Sequence, residues 1–201
     1  VEGDLRIRLG GVDDAEAAVR VLEAAFAEDP FVRWLVGDRP RGKRRYFDLM
    51  LRTLALPRGL VHVAEGDGGL VGAALWAPPG TWDLGLTDSL RILPMMVEII
   101  GIRRFGRISR HLEAIDAARP PEPRYLLTLV GTLPEVRGRG IGRRLLAPVL
   151  ERCDEEGATA VLETSVERNL GFYQGVGFEV TREMVLDDGG PRLWIMTRAP
   201  G

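Results

Sequence analysis

The sequence predicts a mixed α/β (α+β) fold, in which a mostly antiparallel sheet contains one parallel β-α-β unit. Three observations predict it. A strongly apolar strand at Tyr125–Leu133 runs into a glycine-rich turn, an amphipathic helix and a second apolar strand at Ala160–Thr164, which is the pattern of a parallel pair around one crossover helix. The apolar runs Gly59–Ala64 and Leu70–Ala77 are joined by Gly66-Asp67-Gly68-Gly69, which reads as a hairpin. A last pair of strands, Phe178–Leu186 and Leu193–Thr197, follows near the end. Strands and helices do not alternate strictly, so a doubly wound sheet is not expected. The 201 residues, 45% of them hydrophobic, suit one domain spanning 1–201 with a single sizeable core.

The remaining elements follow in chain order. Leu5–Leu9 alternates apolar and charged residues, as a half-buried strand does. Asp13 and Asp14 offer an N-cap, and Ala15, Val19, Leu22, Ala25 and Phe26 recur at helical spacing. Asp29-Pro30 stops that helix, because the residue before proline avoids the α region. Phe31–Val36 reads as a helical turn, and Lys43–Leu56 as a helix ended by Pro57. Ser89–Ala118 is helical, with breaks expected near Pro94 and Gly101. Its stretch Leu90–Ile102 is apolar around much of its circumference, which predicts a covered helix or a dimer face. Pro120-Pro121-Glu122-Pro123 is a stiff linker, and Leu170–Gln174 a short helix.

Composition narrows the function. The formal net charge is −2, so the basic excess of a nucleic-acid binder is missing. One cysteine, Cys153, and two histidines supply too few ligands for a Cys/His zinc site, so no metal is expected. Apolar runs of membrane-spanning length and a basic-then-apolar leader are both absent, which predicts a cytoplasmic protein without membrane association.

The glycine turn carries the chemistry. In Arg137-Gly138-Arg139-Gly140-Ile141-Gly142, three glycines at alternate positions let a ligand approach the backbone. The first N–H groups of the following helix lack internal partners, and its dipole adds positive potential. A diphosphate fits both features, with Arg143 and Arg144 adding charge. A Rossmann fingerprint starting at Gly138 fails at Arg143. A Walker A loop over Gly37–Lys43 fails at Arg44. Taken alone, the turn also reads as a sharp bend with solvated arginines.

The pattern Arg137-x-x-Gly140-x-Gly142 after an apolar strand resembles the acetyl-CoA pyrophosphate loop of the GNAT N-acetyltransferase superfamily. Asn169-x-x-Phe172-Tyr173 followed by Gly177-Phe178 resembles that family's terminal signature. Leu162-Glu163-Thr164-Ser165, Pro148 and the ending Trp194-x-Met196-Thr197-Arg198 resemble its bacterial puromycin N-acetyltransferase-like branch. The resemblance implies the GNAT fold, with the parallel strands splayed at the cofactor site. It implies acetyl-CoA as co-substrate, held by Arg137, Gly138, Arg139, Gly140, Ile141, Gly142 and Arg143, with Asn169, Phe172 and Tyr173 beside it. Val130, Gly131 and Thr132 are expected to offer backbone groups to the pantetheine arm and the acetyl oxygen. Many members carry asparagine seven residues before the tyrosine. Val166 stands there in this chain.

The resemblance makes Tyr173 the acid that protonates the leaving thiolate. As a phenol it is protonated at neutral pH. Glu163, on the strand after the loop helix, either serves as base to the amine or pairs with an arginine. Phe31, Trp34 and Trp76 are expected to line the acceptor pocket, with Asp29 or Glu113 to hold the ammonium. His62, His111 and Cys153 read as packed or solvated. The expected function is acetyl transfer to a primary amine of a small molecule, by direct attack in a ternary complex of a monomer or homodimer. A protein N-acetyltransferase and a catalytically silent acyl-CoA-binding module are the alternatives.

Overall fold

The computed structural model describes residues 5–39, 41–58, 60–81, 86–121, 123–187 and 189–201. Gly59 of the expected second strand and Glu122 of the proline linker lie outside them. Seven strands form one sheet: β1 Arg6–Leu9, β2 Val61–Gly66, β3 Gly69–Ala77, β4 Arg124–Thr132, β5 Thr159–Thr164, β6 Glu179–Val185 and β7 Arg192–Arg198. Their spatial order is β1-β2-β3-β4-β5-β7-β6. Among these pairings β4–β5 alone is parallel.

Helices cover both faces. On one lie α1 Ala15–Ala25, α2 Pro30–Val36 and α3 Gly42–Asp48, with α4 Leu86–Ile100 and α5 Ile102–Ala118. Their apolar sides meet Val61, Val63, Ala73, Leu75 and Leu129 of the sheet. On the other face lies α6 Ile141–Glu156, the crossover between β4 and β5. Ile141, Leu145, Leu146, Val149, Leu150 and Cys153 are its buried residues, the apolar face of the amphipathic helix expected after the glycine turn. Burying each of the larger ones contributes about 1.5–3 kcal/mol before entropy is counted. The short α7, Leu170–Gln174, sets Tyr173 against the same core.

Three local expectations change. Asp14 does not cap α1 with its side chain. It accepts from Gly11 N at 2.9 Å and from Arg8. The helix starting at α3 widens into a π-helical stretch over Leu49–Ala55 and ends as a 3₁₀ turn, Leu56–Arg58. Pro94 lies within α4 without ending it, and the break falls at Gly101, whose φ of 91° suits glycine. The apolar stretch of α4 is covered on one side only. Ile92, Ile99 and Ile100 are buried, while Leu90 and Leu93 are exposed.

The site depends on how β4 leaves its neighbours. On the β3 side, Leu75 pairs with Leu129 and Trp76 with Leu127, which leaves Thr128 as an extra residue. A bulge of this kind bends its strand. The Thr128 hydroxyl donates to Leu75 O at 3.0 Å and ties the bulge down. On the β5 side, parallel pairing ends at Leu127 opposite Leu162. Beyond it Glu163 and Thr164 pair with β7 alone, so the two strands diverge into a wedge.

Candidate active site

Two cavities meet in that wedge. A cleft of about 670 Å³ runs along the α6 N-terminus, and a cavity of about 370 Å³ lies beneath α2, α3 and α5. Phe26, Asp29, Val130, Asn169 and Tyr173 border both.

The cleft is built on the glycine turn. Gly138 and Gly140 have φ of 78° and 74°, and a side chain at either would project into open space. The N–H groups of Ile141, Gly142 and Arg143 open α6 without intrahelical acceptors. Val130, Gly131 and Thr132 border the cleft on β4, whose other edge is bonded to β3. Arg137 and Arg143 border it too. Arg137 donates to Ala25 O at 3.0 Å across the cleft, and Arg143 to Gly175 O at 3.0 Å. A pyrophosphate laid on α6 would therefore meet backbone donors, the helix dipole and two guanidinium groups. An acyl-CoA fits this combination of open glycine cradle, length and charge.

Gly131 has a further reason to be glycine. A Cβ there would come within 2.5 Å of Ala25 Cβ, where α1 crosses β4. Gly142 faces Phe172 in the same way, with its ring 3.0 Å from the added carbon. Of the residues expected to hold the cofactor, Arg139 alone does not border the cleft. It points to solvent, since the chain turns tightly between two left-handed glycines. The sequence reading missed the α1 end, Ala24–Glu28, and Arg168. Val166 borders the cleft at the position where many family members carry asparagine.

Tyr173 is 7% exposed and stacks edge-on with Phe172 and Phe178. Burial, and then the charge of Asp29, push its phenol well above the ordinary range, so it holds its proton. Its hydroxyl has no hydrogen-bond partner among the described residues.

Asp29 sits at the junction because it ends one helix and starts another. Its carboxylate caps α2 by accepting from Val32 N at 2.9 Å, and Ser165 Oγ donates to it at 3.3 Å. Burial raises its pKa against the opposing pull of these bonds. Glu163 borders the second cavity, paired with Arg119, whose guanidinium also holds Asp116. Of the two roles read for Glu163, the arginine pair is the one its geometry realises. Glu113 is exposed and borders neither cavity.

The second cavity is mostly apolar, with Leu35, Leu49, Met50, Ile92 and Met96 among its walls. Phe31 borders it, as expected. Trp34 and Trp76 do not. Trp34 stands behind Phe31, at 5.7 Å between ring centroids, and meets His111 edge-on. Trp76 points to the opposite face of the sheet, into the α6 core, because side chains alternate along β3.

A seven-stranded mixed sheet with a splayed parallel pair and an anion cradle at the crossover helix defines an acyl-CoA-dependent transferase. Residues 20–178 match the acetyltransferase (GNAT) family, and the chain belongs to it. It is thereby an acetyl-CoA-dependent N-acetyltransferase. The chain is 28% identical to an uncharacterized N-acetyltransferase of Schizosaccharomyces pombe, over 93% of this chain and 80% of that one. A Corynebacterium glutamicum structure described as histone acetyltransferase HPA2 and related acetyltransferase matches with TM-score 0.73 and 27% identity, over 98% and 97% of the two chains. The polyamine N-acetyltransferase of Drosophila melanogaster shares the fold with TM-score 0.72 at 19% identity, over 98% and 100%. Family and sheet agree with the sequence reading.

Proposed function

We propose that the protein transfers the acetyl group of acetyl-CoA to a primary amine on a small, largely apolar molecule, by direct attack in a ternary complex. The single observation that carries this is the junction. The cleft with the anion cradle and the mostly apolar cavity share Asp29, Val130 and Tyr173, so a thioester entering from one side faces an amine entering from the other. A cavity of about 370 Å³ favours a small acceptor over an extended peptide. The polyamine N-acetyltransferase among the fold neighbours acts on amines by name, which fits the same reading.

The steps follow from the residues. The glycine turn and the α6 N-terminus hold the pyrophosphate, and Val130–Thr132 offer backbone N–H groups to the acetyl oxygen. The acceptor ammonium is drawn to Asp29 and enters as the free amine once it has lost its proton to solvent. Nitrogen attacks the carbonyl carbon, and the resulting oxyanion rests on the backbone donors. Asp29 takes the proton from the now acidic nitrogen. The carbon–sulfur bond breaks, Tyr173 gives its proton to the departing thiolate, and the proton on Asp29 passes through solvent in the cleft to restore Tyr173. Glu163, fixed by Arg119, shapes the far wall of the acceptor cavity and takes no proton.

Mixing the protein with acetyl-CoA and a panel of arylalkylamines, polyamines and puromycin, and following free CoA thiol, tests the reading. Amine-dependent release supports it. Acetyl-CoA binding without release for any amine would leave an acyl-CoA-binding module.

A further inference from the structure

Among the polar groups of the acceptor cavity that the transfer steps leave unused is the Tyr46 hydroxyl. Tyr46, on α3, is 8% exposed and borders the cavity together with Asp29 and Glu163. Its ring packs against Phe47 at 5.2 Å between centroids, which fixes it in place. Among the described residues its hydroxyl has no hydrogen-bond partner. Burial, then the charges of Asp29 and Glu163, raise its pKa, so it remains a neutral phenol able to donate and accept.

A buried hydroxyl without a partner is costly. Water entering the open cavity meets that need in the free protein. An acceptor that fills the cavity displaces the water, and no side chain among the described residues bonds the Tyr46 hydroxyl in exchange. The acceptor itself must then supply the partner. The charges bordering the cavity set a second condition. Asp29, Asp116 and Glu163 stand against Arg119, so a carboxylate on the acceptor would be repelled.

We propose that Tyr46 is a specificity-determining residue that hydrogen-bonds a hydroxyl on the apolar body of the acceptor, so that the substrate class is hydroxylated arylalkyl- or alkylamines without a carboxylate. This rests on the reading of the cavity as the amine site. A plain hydrocarbon amine leaves the Tyr46 hydroxyl buried and unpaired, and a hydroxylated one pairs it. Sites built to bond a substrate hydroxyl reject the analogue lacking it for this reason.

The test compares kcat/KM for phenethylamine and its ortho-, meta- and para-hydroxy isomers, by CoA thiol release, in the wild-type protein and in Tyr46→Phe. The wild type should prefer at least one hydroxy isomer over phenethylamine by about tenfold, a difference of about 1.4 kcal/mol. Tyr46→Phe should bring that ratio close to one while leaving acetyl-CoA affinity unchanged. In the wild type, replacing the hydroxyl of the favoured isomer by a methyl group should also remove its advantage, which keeps the test open if Tyr46→Phe does not fold. Equal rates for all four amines in the wild type, or the same ratio in Tyr46→Phe, would overturn the inference while the transferase reading stands. No release with any amine would remove the transferase reading and this inference with it.

Discussion

The Ser165 hydroxyl donates to the Asp29 carboxylate at 3.3 Å, although 136 positions separate the two residues in the sequence. The same oxygen of Ser165 accepts from Phe31 N at 3.3 Å. Ser165 therefore joins the strand that leaves the wedge to the turn between α1 and α2, and holds Asp29 where the two cavities meet. Asp29→Asn keeps an oxygen to cap α2 and removes the proton acceptor. It should lower kcat/KM by about 10²-fold, at the lower end of general acid–base contributions. Urea denaturation should find its stability at neutral pH equal to or slightly above wild type. The reason is one of sign: a carboxyl whose folded pKa is raised stabilises the fold fully below about pH 4, and loses that contribution as pH rises through its folded value.

The pH profile follows from the same shift. Asp29 must be ionised to take a proton, so kcat/KM should fall on the acid side with an apparent pKa above the usual carboxylate value of about 3.9. The limb should flatten in Asp29→Asn. Rate profiles with one amine across the acid range check this, and an unchanged limb in Asp29→Asn would assign it to another group.

Tyr173→Phe should reduce kcat by about 10²-fold and leave the dissociation constant for acetyl-CoA within about twofold. The ring, its edge contacts with Phe172 and Phe178, and its place in the α6 core are all kept. Calorimetric titration beside turnover separates the two effects.

Glu163→Gln should act on stability more than on chemistry. The Arg119 side chain is 7% exposed, and losing the Glu163 charge leaves it largely buried with Asp116 still beside it. A loss of about 2 kcal/mol in denaturant unfolding is expected, below the usual cost of breaking a buried pair because Asp116 remains. A large fall in kcat with unchanged stability would instead restore Glu163 as the base.

Acid stability should depend on Asp14. The Arg8 guanidinium bonds it at 2.7 and 2.8 Å, and its pKa is lowered to about 2. A carboxylate with a depressed folded pKa contributes stability that is present above about pH 4 and is lost as pH falls through about 2. Asp14→Asn should therefore flatten the fall in melting temperature across that window and leave acetyl-CoA binding unchanged.

Elements with strong period were legible in the sequence. The stripe of α6 and the apolar runs of β4 and β5 located the crossover to within one or two residues. The glycine turn was legible because left-handed backbone and a free helix end leave a local trace. The acceptor side was less so. Asp29 reads locally as a helix stop before proline, and Ser165 and Val32, which give it its role, come from distant or unremarkable positions. Tyr46 follows three basic residues on α3 and carries no local signal, and its missing partner is visible only once the cavity is known. Trp76 was misplaced because the faces of β3 cannot be told apart when both are buried. Glu163 could be read either way until Arg119, 44 positions earlier, was seen beside it.

In the proposed reaction acetyl passes directly from the cleft to the cavity at the Asp29–Tyr173 junction. Rapid mixing of the protein with acetyl-CoA, followed by intact-protein mass measurement, with and without an accepted amine, tests it most directly. Direct transfer gives unmodified protein in both arms and CoA release only when the amine is present. Release of about one CoA per protein without amine, together with an acetylated protein that the amine then discharges, would contradict it.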